Sequence, residues 1–429
     1  MRTVQIQPKS LDDYRELAGE RVVESLRSSA KHLEGKRVLH VNSTSFGGGV
    51  AEILYSLVPL MRDVGIDAHW NVIEADERFF WITKAIHNGF QGGDVSISSG
   101  MRGHYLEVNK RNAEGLEDGW DFVVVHDPQP LPLIQYALKG GKWIWRCHAD
   151  PSNANPGILK LLATFVPHYE AGVFSLEQYH QDGLGCQRPV VMHPSIDPLS
   201  PKNRPMTPEE LDRTASRFGV DPMKPTISTV ARFDPWKDPL GVIDIYRTIK
   251  AGNPHPASSR LLRLYRRIKR KVPRLQLLFI SAMAQDDPEG WEYYERALRR
   301  AGEDPDVFFL TNLRGVGASE VNAFQRLSRV ALLRSVREGF GLAVSESLWK
   351  GVPVVGSYAG GIPLQIIDGS TGYLVQDAET AAGRLVRLLR DENLRNRMGA
   401  AGRAHVKRHY LVTRQLGDYI ELLRNLDSD

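Results

Sequence analysis

The feature that most constrains this 429-residue chain is a repeated alternation of short apolar runs with amphipathic stretches, the pattern of a parallel α/β fold. In the first half the strand-like runs are RVLHVN (37–42), DAHWNVI (67–73), DFVVVHD (121–127), KWIWRCH (142–148), AGVFS (171–175) and PVVMHP (189–194). In the second half they are PTISTVARF (225–233), LQLLFISAM (275–283), VFFLTN (307–312), RVALLRS (329–335) and PVVGS (353–357). Helical spacing marks 51–65, 240–250, 291–302 and 342–351. A chain of this length strains a single hydrophobic core, so two domains are expected. The proline-rich PSIDPLSPKNRPMTPEE (194–210) reads as their join, with a cleft between two parallel sheets. Ligands in open α/β sheets sit outside the carboxyl ends of strands, so residues just after strands are the candidates for chemistry.

Charge and cysteine usage exclude several classes. The 55 Lys and Arg against 51 Asp and Glu leave a net charge of +4, too little to imply nucleic acid or an anionic membrane as a partner. The basic stretch 251–274 has a Pro/Ser/Gly-rich front and reads as a surface insertion followed by a solvated helix face. Cys147 and Cys186 form no CxxC pair and have no Cys/His array near them, which fits a reducing compartment. The opening MRTVQIQPKSLDDYRELAGE lacks a signal-peptide core, and no apolar run reaches membrane-spanning length. A cytoplasmic protein is expected. The sequence leaves the oligomeric state open, and a homodimer is compatible with it.

The motifs that can carry chemistry stand mostly at the strand ends. HVNSTSFGGGVAEIL (40–54) is a strand, a Gly-rich loop and a helix. Without side chains at Gly47, Gly48 and Gly49, backbone N–H groups can approach a ligand at a helix N-terminus, where the dipole favours an anion such as phosphate. It is neither GxGxxG nor a GK[ST] loop, and a plain flexible turn competes with that reading. In ARFDPWKDP (231–239), Arg232 and Lys237 flank an Asp-Pro turn that can bring a guanidinium fork and an ammonium onto one diphosphate. Its competitor is a merely solvated surface pair.

REGFGLAVSE (337–346) places Glu338 in a loop and Glu346 about one turn inside a helix. Free N–H groups of Gly339, Phe340, Gly341 and Leu342 can then meet sugar hydroxyls or phosphate oxygens, and Glu346 can take two ribose hydroxyls. An acidic residue serving the helix dipole is the plainer account. WRCHAD (145–150) puts His148 at a strand end, where it can donate to a sugar hydroxyl, although a lone histidine is more often structural. HDPQP (126–130) adds His126 and Asp127, the latter as an acceptor-side carboxylate. KAIHNGFQGG (84–93) adds Lys84, His87, Asn88 and Gln91 as acceptor-side ligands, or equally a surface helix. Asp304-Pro305-Asp306 precedes its strand and reads as a turn instead of a metal-binding Asp-x-Asp, so no metal is expected.

Together HVNSTSFGGGVAEIL, VHDPQP, WRCH, SIDP, RFDPWKD, DDPEGW, TNL, VNAFQR, REGFGL and the GGI…TGYLV segment (360–375) resemble the retaining glycosyltransferase family four, of GT-B fold. Within it they look like the trehalose glycosyltransferring synthases, over nearly the whole chain. The spaced glutamates are broad to the family; NSTSFGGGVAEIL, VHDPQP and RFDPWKD are narrower. The resemblance implies a Rossmann-like acceptor domain (1–200) joined by a final helix (411–429), and a Rossmann-like donor domain (201–410). The implied reaction is NDP-glucose plus glucose giving α,α-trehalose plus NDP, reversible, with retention and without metal or cofactor.

By the same resemblance the loop with Gly48 and Gly49 lies beside the donor phosphate and the acceptor, and His148 contacts the transferred sugar. Arg232 and Lys237 bind the diphosphate, Glu346 the ribose, and Glu338 with the amides after it the glucose hydroxyls. A same-face substitution is preferred to a double displacement, because no β-face carboxylate presents itself. The alternatives are a trehalose phosphorylase, a transferase with another small acceptor and, from another class, a nucleic-acid-binding protein using the basic helix 260–274.

Overall fold

The computed structural model describes residues 1–46, 48–137, 140–251, 271–283 and 289–428. Residues 252–270 of the basic stretch, and Gly47, lie outside the described residues. The chain divides into two compact units. Unit 1 holds Met1–Asp197 and Tyr410–Asp429; unit 2 holds Pro198–Met283 and Glu289–His409.

Unit 1 is built on seven strands: β1 (Arg2–Thr3), β2 (Arg37–Asn42), β3 (Asp67–Val72), β4 (Phe122–His126), β5 (Lys142–Cys147), β6 (Ala171–Phe174) and β7 (Pro189–Val191). Their order is β1-β3-β2-β4-β5-β6-β7, parallel except for β1 against β3. The runs read as continuously apolar because both faces are covered. On one face Leu39, Val41, Val123, Val125 and Trp145 share a core with Phe79, Ile82, Ile86 and Phe90. Helix α1 (Gly49–Asp63) follows β2, and α2 (Glu77–Phe90) follows β3.

The other face meets the C-terminal helix Val412–Asp427, whose Leu416, Tyr419, Ile420 and Leu423 are buried and which packs on α1 and on the helix Glu20–Ala30. The chain leaves unit 1 and returns to it side by side: Ile196 N–H donates to Tyr410 O (2.8 Å) and Val412 N–H to Ile196 O (2.9 Å). Next to this crossing the buried Asp197 accepts from Lys9 Nζ, from Tyr14 OH (2.9 Å) and from Ser56 Oγ (2.7 Å). Leu423→Ala would empty a fully buried site at a cost of about 2–5 kcal/mol. A lower urea midpoint for unit 1 is the expected result, and an unchanged midpoint would show that this helix does not stabilise it.

Unit 2 carries β8 (Thr226–Val230), β9 (Gln276–Ser281), β10 (Val307–Thr311), β11 (Val330–Leu333), β12 (Val354–Ser357) and β13 (Gly372–Val375). The all-parallel order is β10-β9-β8-β11-β12-β13. Helix α3 (Pro239–Ala251) follows β8 and α4 (Leu342–Trp349) follows β11. Phe233, Phe279 and Phe309 anchor the core, with the last two rings stacked at 5.2 Å.

Asp304 and Asp306 stand before β10. Lys250 Nζ lies 2.6 Å from Asp304 and 2.7 Å from Asp306, and Lys224 Nζ lies 2.8 Å from Asp306. The pair is therefore a lysine-bound turn that ties α3 to the entry of β10.

Among the parallel strands of each sheet the winding reverses once. In unit 1 the chain passes from β2 to β3 on one side and then to β4 on the other; in unit 2 the reversal separates β8 from β11. Loops at such neighbours diverge and leave a crevice at the carboxyl edge. The glycine loop follows β2 and Asp127 follows β4, while Arg232 and Lys237 follow β8 and Glu338 follows β11.

Candidate functional site

In unit 1 the loop after β2 is tied from within. Asn42 Oδ1 accepts from Trp70 Nε1 (2.7 Å), and Asn42 Nδ2 donates to Thr44 O (2.7 Å). Gly48 is the N-cap of α1 in an extended conformation, and no side chain caps the helix. A Cβ at Gly48 would meet nothing within 4 Å, so the fold does not itself need glycine there. The open space lies in front of uncapped amides of a helix beginning at Gly49, a place suited to an anion. Gly48→Ala should therefore leave the melting temperature within about 1 °C but weaken substrate use at least ~10-fold, since a single methyl would stand where a ligand approaches the amides. Unchanged kinetics in that variant would remove the loop from the site.

At the end of β4, Asp127 adopts a φ of +62°, a left-handed conformation uncommon outside glycine. Its Oδ1 accepts from the backbone N–H of His148 (2.8 Å), and its carbonyl accepts from Trp145 Nε1 (3.1 Å). This carboxylate thus shapes the loop that carries His148, a role the sequence reading did not assign.

His148 is also the outermost of three histidines. His40 Nδ1 lies 3.0 Å from His126 Nε2, and His126 Nδ1 lies 3.0 Å from His148 Nε2. Burial pushes the His40 ring down to about 3. Burial, then the two neighbouring rings and the Arg146 guanidinium, hold His126 well below the ordinary histidine range, and burial, then Arg146, does the same for His148. His40 went unnoticed as a site residue because within RVLHVN it reads only as part of a strand.

Helix α2 is not the surface helix that was the alternative for 84–93. Asp76 caps it by accepting from Phe79 N–H (2.8 Å), and Lys84 and Gln91 are buried while His87 and Asn88 are half-buried.

In unit 2 the loops after β8 and β11 meet. Val336 N–H donates to Trp236 O (2.7 Å), and Lys237 Nζ lies 2.8 Å from Glu338 Oε2, which also accepts from Ser335 Oγ (3.0 Å). Sequence reasoning treated Lys237 and Glu338 as separate contacts; the fold makes them an ion pair. Arg232, a third exposed, lies 3.8 Å from the buried Asp234. Asp238, at φ +46°, accepts from Gly241 N–H (3.0 Å) and faces Arg334 Nε (3.3 Å), which closes the turn.

Gly341 is the N-cap of α4 at φ +83°, where a side chain would be strained and would press on Glu338. The Phe340 side chain is buried and its carbonyl accepts from Gln365 Nε2 (2.6 Å). Gly339 and Leu342 are half-buried on either side.

Glu346 departs furthest from expectation. It is 1% exposed; Lys202 Nζ lies 2.9 Å from one oxygen, and Gln325 Nε2 donates to the other at 3.2 Å. Burial pushes its carboxyl up, but Lys202 and Lys350 outweigh that and leave it below the ordinary range. The reading as a ribose ligand rested on helix position alone. In this structure both oxygens are engaged inside unit 2, and a ribose would have to share them.

Residues 40–181 match the family described as "Trehalose synthase, N-terminal domain", and residues 212–405 match "Glycosyl transferases group 1". A trehalose synthase of Thermococcus litoralis is 48% identical over 419 residues, 97% of each chain. One of Rubrobacter xylanophilus is 43% identical over 424 residues, again 97% of each. The chain belongs to the trehalose synthase family. It is a glycosyltransferase with two parallel-sheet domains of the GT-B type. Among solved structures, an α,α-trehalose-phosphate synthase (UDP-forming) from Burkholderia vietnamiensis shares the fold with a TM-score of 0.70 at 15% identity, covering 92% of this chain and 99% of that one. No described helix of this trehalose synthase family member is long and apolar enough to cross a membrane.

Proposed function

We propose that this chain transfers glucose, with retention, from an NDP-glucose to free glucose and forms α,α-trehalose, and that it also runs in reverse. The observation that carries this reading is the pairing of Lys237 with Glu338 at the switch point of unit 2, beside the N-terminus of α4, with Arg232 in the same loop after β8. Two cations of complementary geometry suit a leaving diphosphate. In the proposed step the bond from the sugar's anomeric carbon to the diphosphate breaks. The acceptor oxygen bonds to the same face, and its proton passes to the departing phosphate oxygen. No protein base is needed, and Lys237 and Arg232 hold the developing charge.

On the acceptor side, Asp127, Lys84, Asn88 and Gln91 of unit 1 are the proposed sugar contacts, with His148 on the transferred glucosyl group. The reading includes independence from metal, since Asp304 and Asp306, the Asp-x-Asp string, are bound by lysines. We further propose cytoplasmic operation without nucleic acid or membrane partners.

The test is a product assay with UDP-, ADP- or GDP-glucose and free glucose, chelator present, and sugars resolved by NMR. α,α-Trehalose is the expected product. NDP release without trehalose would replace the acceptor, phosphate-dependent trehalose cleavage would favour a phosphorylase, and rescue only by a divalent cation would overturn the metal-free reading.

A further inference from the structure

Three adjacent strands each contribute one histidine to the same sheet face. His40 lies in β2, His126 ends β4 and His148 follows β5. The register pairs His40 with Val124 and His126 with Arg146, so each histidine stands two residues beyond the level of the last. A two-residue step keeps all three side chains on one face. The rings sit at 5.3 Å spacing and are linked by two ring-nitrogen hydrogen bonds of 3.0 Å each.

A neutral imidazole carries one N–H, so two linked bonds leave two arrangements. Either every ring holds its proton on Nδ1 or every ring holds it on Nε2. The inner end decides between them. His40 Nε2 is buried, with no hydrogen-bond partner among the described residues, under the edge of the Tyr419 ring (5.7 Å between centroids). An orphaned N–H donor is rarer in protein interiors than an unused acceptor. The cheaper arrangement leaves a bare lone pair on His40 Nε2 and sends each proton outward, from His40 Nδ1 to His126 Nε2 and from His126 Nδ1 to His148 Nε2.

The charge facing the row is the guanidinium of Arg146, fully buried, with Nη2 donating to Met192 O (2.7 Å). It disfavours a second positive charge on His126 or His148, and no carboxylate is paired with the histidine rings among the described residues.

We infer that His40 and His126 are positioning residues that lock His148 as the Nδ1–H tautomer, so that a neutral donor and not a base faces the transferred glucosyl group. The inference rests on the role proposed above for His148. It explains how a histidine beside the reacting sugar serves a substitution that has no protein base. A proton taken up at His148 would have no outlet, because the inner end of the row is closed.

The experiment is long-range 1H–15N NMR of the full chain labelled at histidine, with His40, His126 and His148 assigned by substitution, at neutral pH. Nδ1–H signatures for all three are expected; an Nε2–H signature at His148 overturns the inference. Because wild-type protein gives this answer without any substrate, it stands or falls separately from the product assay. Kinetics supply the second arm. His40→Phe should lower kcat ~10-fold with little change in donor KM. His40→Asn, whose amide N–H stands near the former Nδ1–H, should restore most of it. A folded His40→Phe protein with unchanged kcat also overturns the inference.

Discussion

Lys237→Ala should lower turnover by about 10²–10³-fold, with a smaller change in KM, the usual cost of removing one donor from a developing oxyanion. Two effects combine in that variant. The leaving diphosphate loses an ammonium, and Glu338 loses the partner 2.8 Å away that neutralises it in a buried setting. Glu338→Gln separates them, since it removes the carboxylate charge while leaving Lys237 for the phosphate. If Lys237 acts on the diphosphate, Lys237→Ala remains far slower than Glu338→Gln, and adding Glu338→Gln to it recovers little. Equal losses in both single variants would mean that Lys237 serves only to hold Glu338. Near-normal turnover in Lys237→Ala and in Arg232→Ala alike would discard the diphosphate assignment.

Lys202→Met is the variant expected to damage stability most. It strands the fully buried Glu346, and breaking a buried pair typically costs about 3–5 kcal/mol. For a unit of this size that is on the order of 10 °C in melting temperature. The pH dependence follows from the direction of the Glu346 shift. In the wild type its folded pKa lies below the ordinary value of 4.5, so its contribution is fully present above that value and is lost as pH falls through the folded pKa. In Lys202→Met, burial is opposed only by Lys350 and the Gln325 hydrogen bond, the folded pKa rises, and the penalty fades as acid protonates Glu346. The gap between wild type and variant should thus be widest at neutral pH and narrow near pH 4, read by thermal melts across that range. A gap independent of pH would trace the loss to packing and not to charge.

These residues show what was legible in advance. RVLHVN was visible as a strand because β2 is buried on both faces and its apolar content is continuous. The two-residue β1 is too short to announce itself and exists by pairing with β3. Arg232, Lys237 and Glu338 could be singled out because each stands in a loop just after an apolar strand-like run, which alternation and loop position betray. Their partners could not.

Lys202 lies in a proline-rich segment that reads as a linker, and nothing local says that it neutralises a glutamate 144 positions later. His40 and His126 are 86 residues apart and meet only because β4 inserts beside β2. Local spacing reports secondary structure and the ends of strands. Counter-ions and ring-to-ring hydrogen bonds depend on sheet order, which spacing does not contain.

The final helix belongs to unit 1 although the whole of unit 2 precedes it in the chain, and this bears on how the protein emerges from the ribosome. Synthesis at about 5–20 residues per second puts on the order of ten to fifty seconds between completion of the first 197 residues and delivery of that helix. During the interval the seats for Leu416, Tyr419, Ile420 and Leu423 on the nascent first unit stay uncovered. Unit 2, made between the two pieces of unit 1, can close first. The half of the enzyme that is made first is therefore the half that finishes last, and it is the one with apolar surface for a chaperone to shield in the meantime.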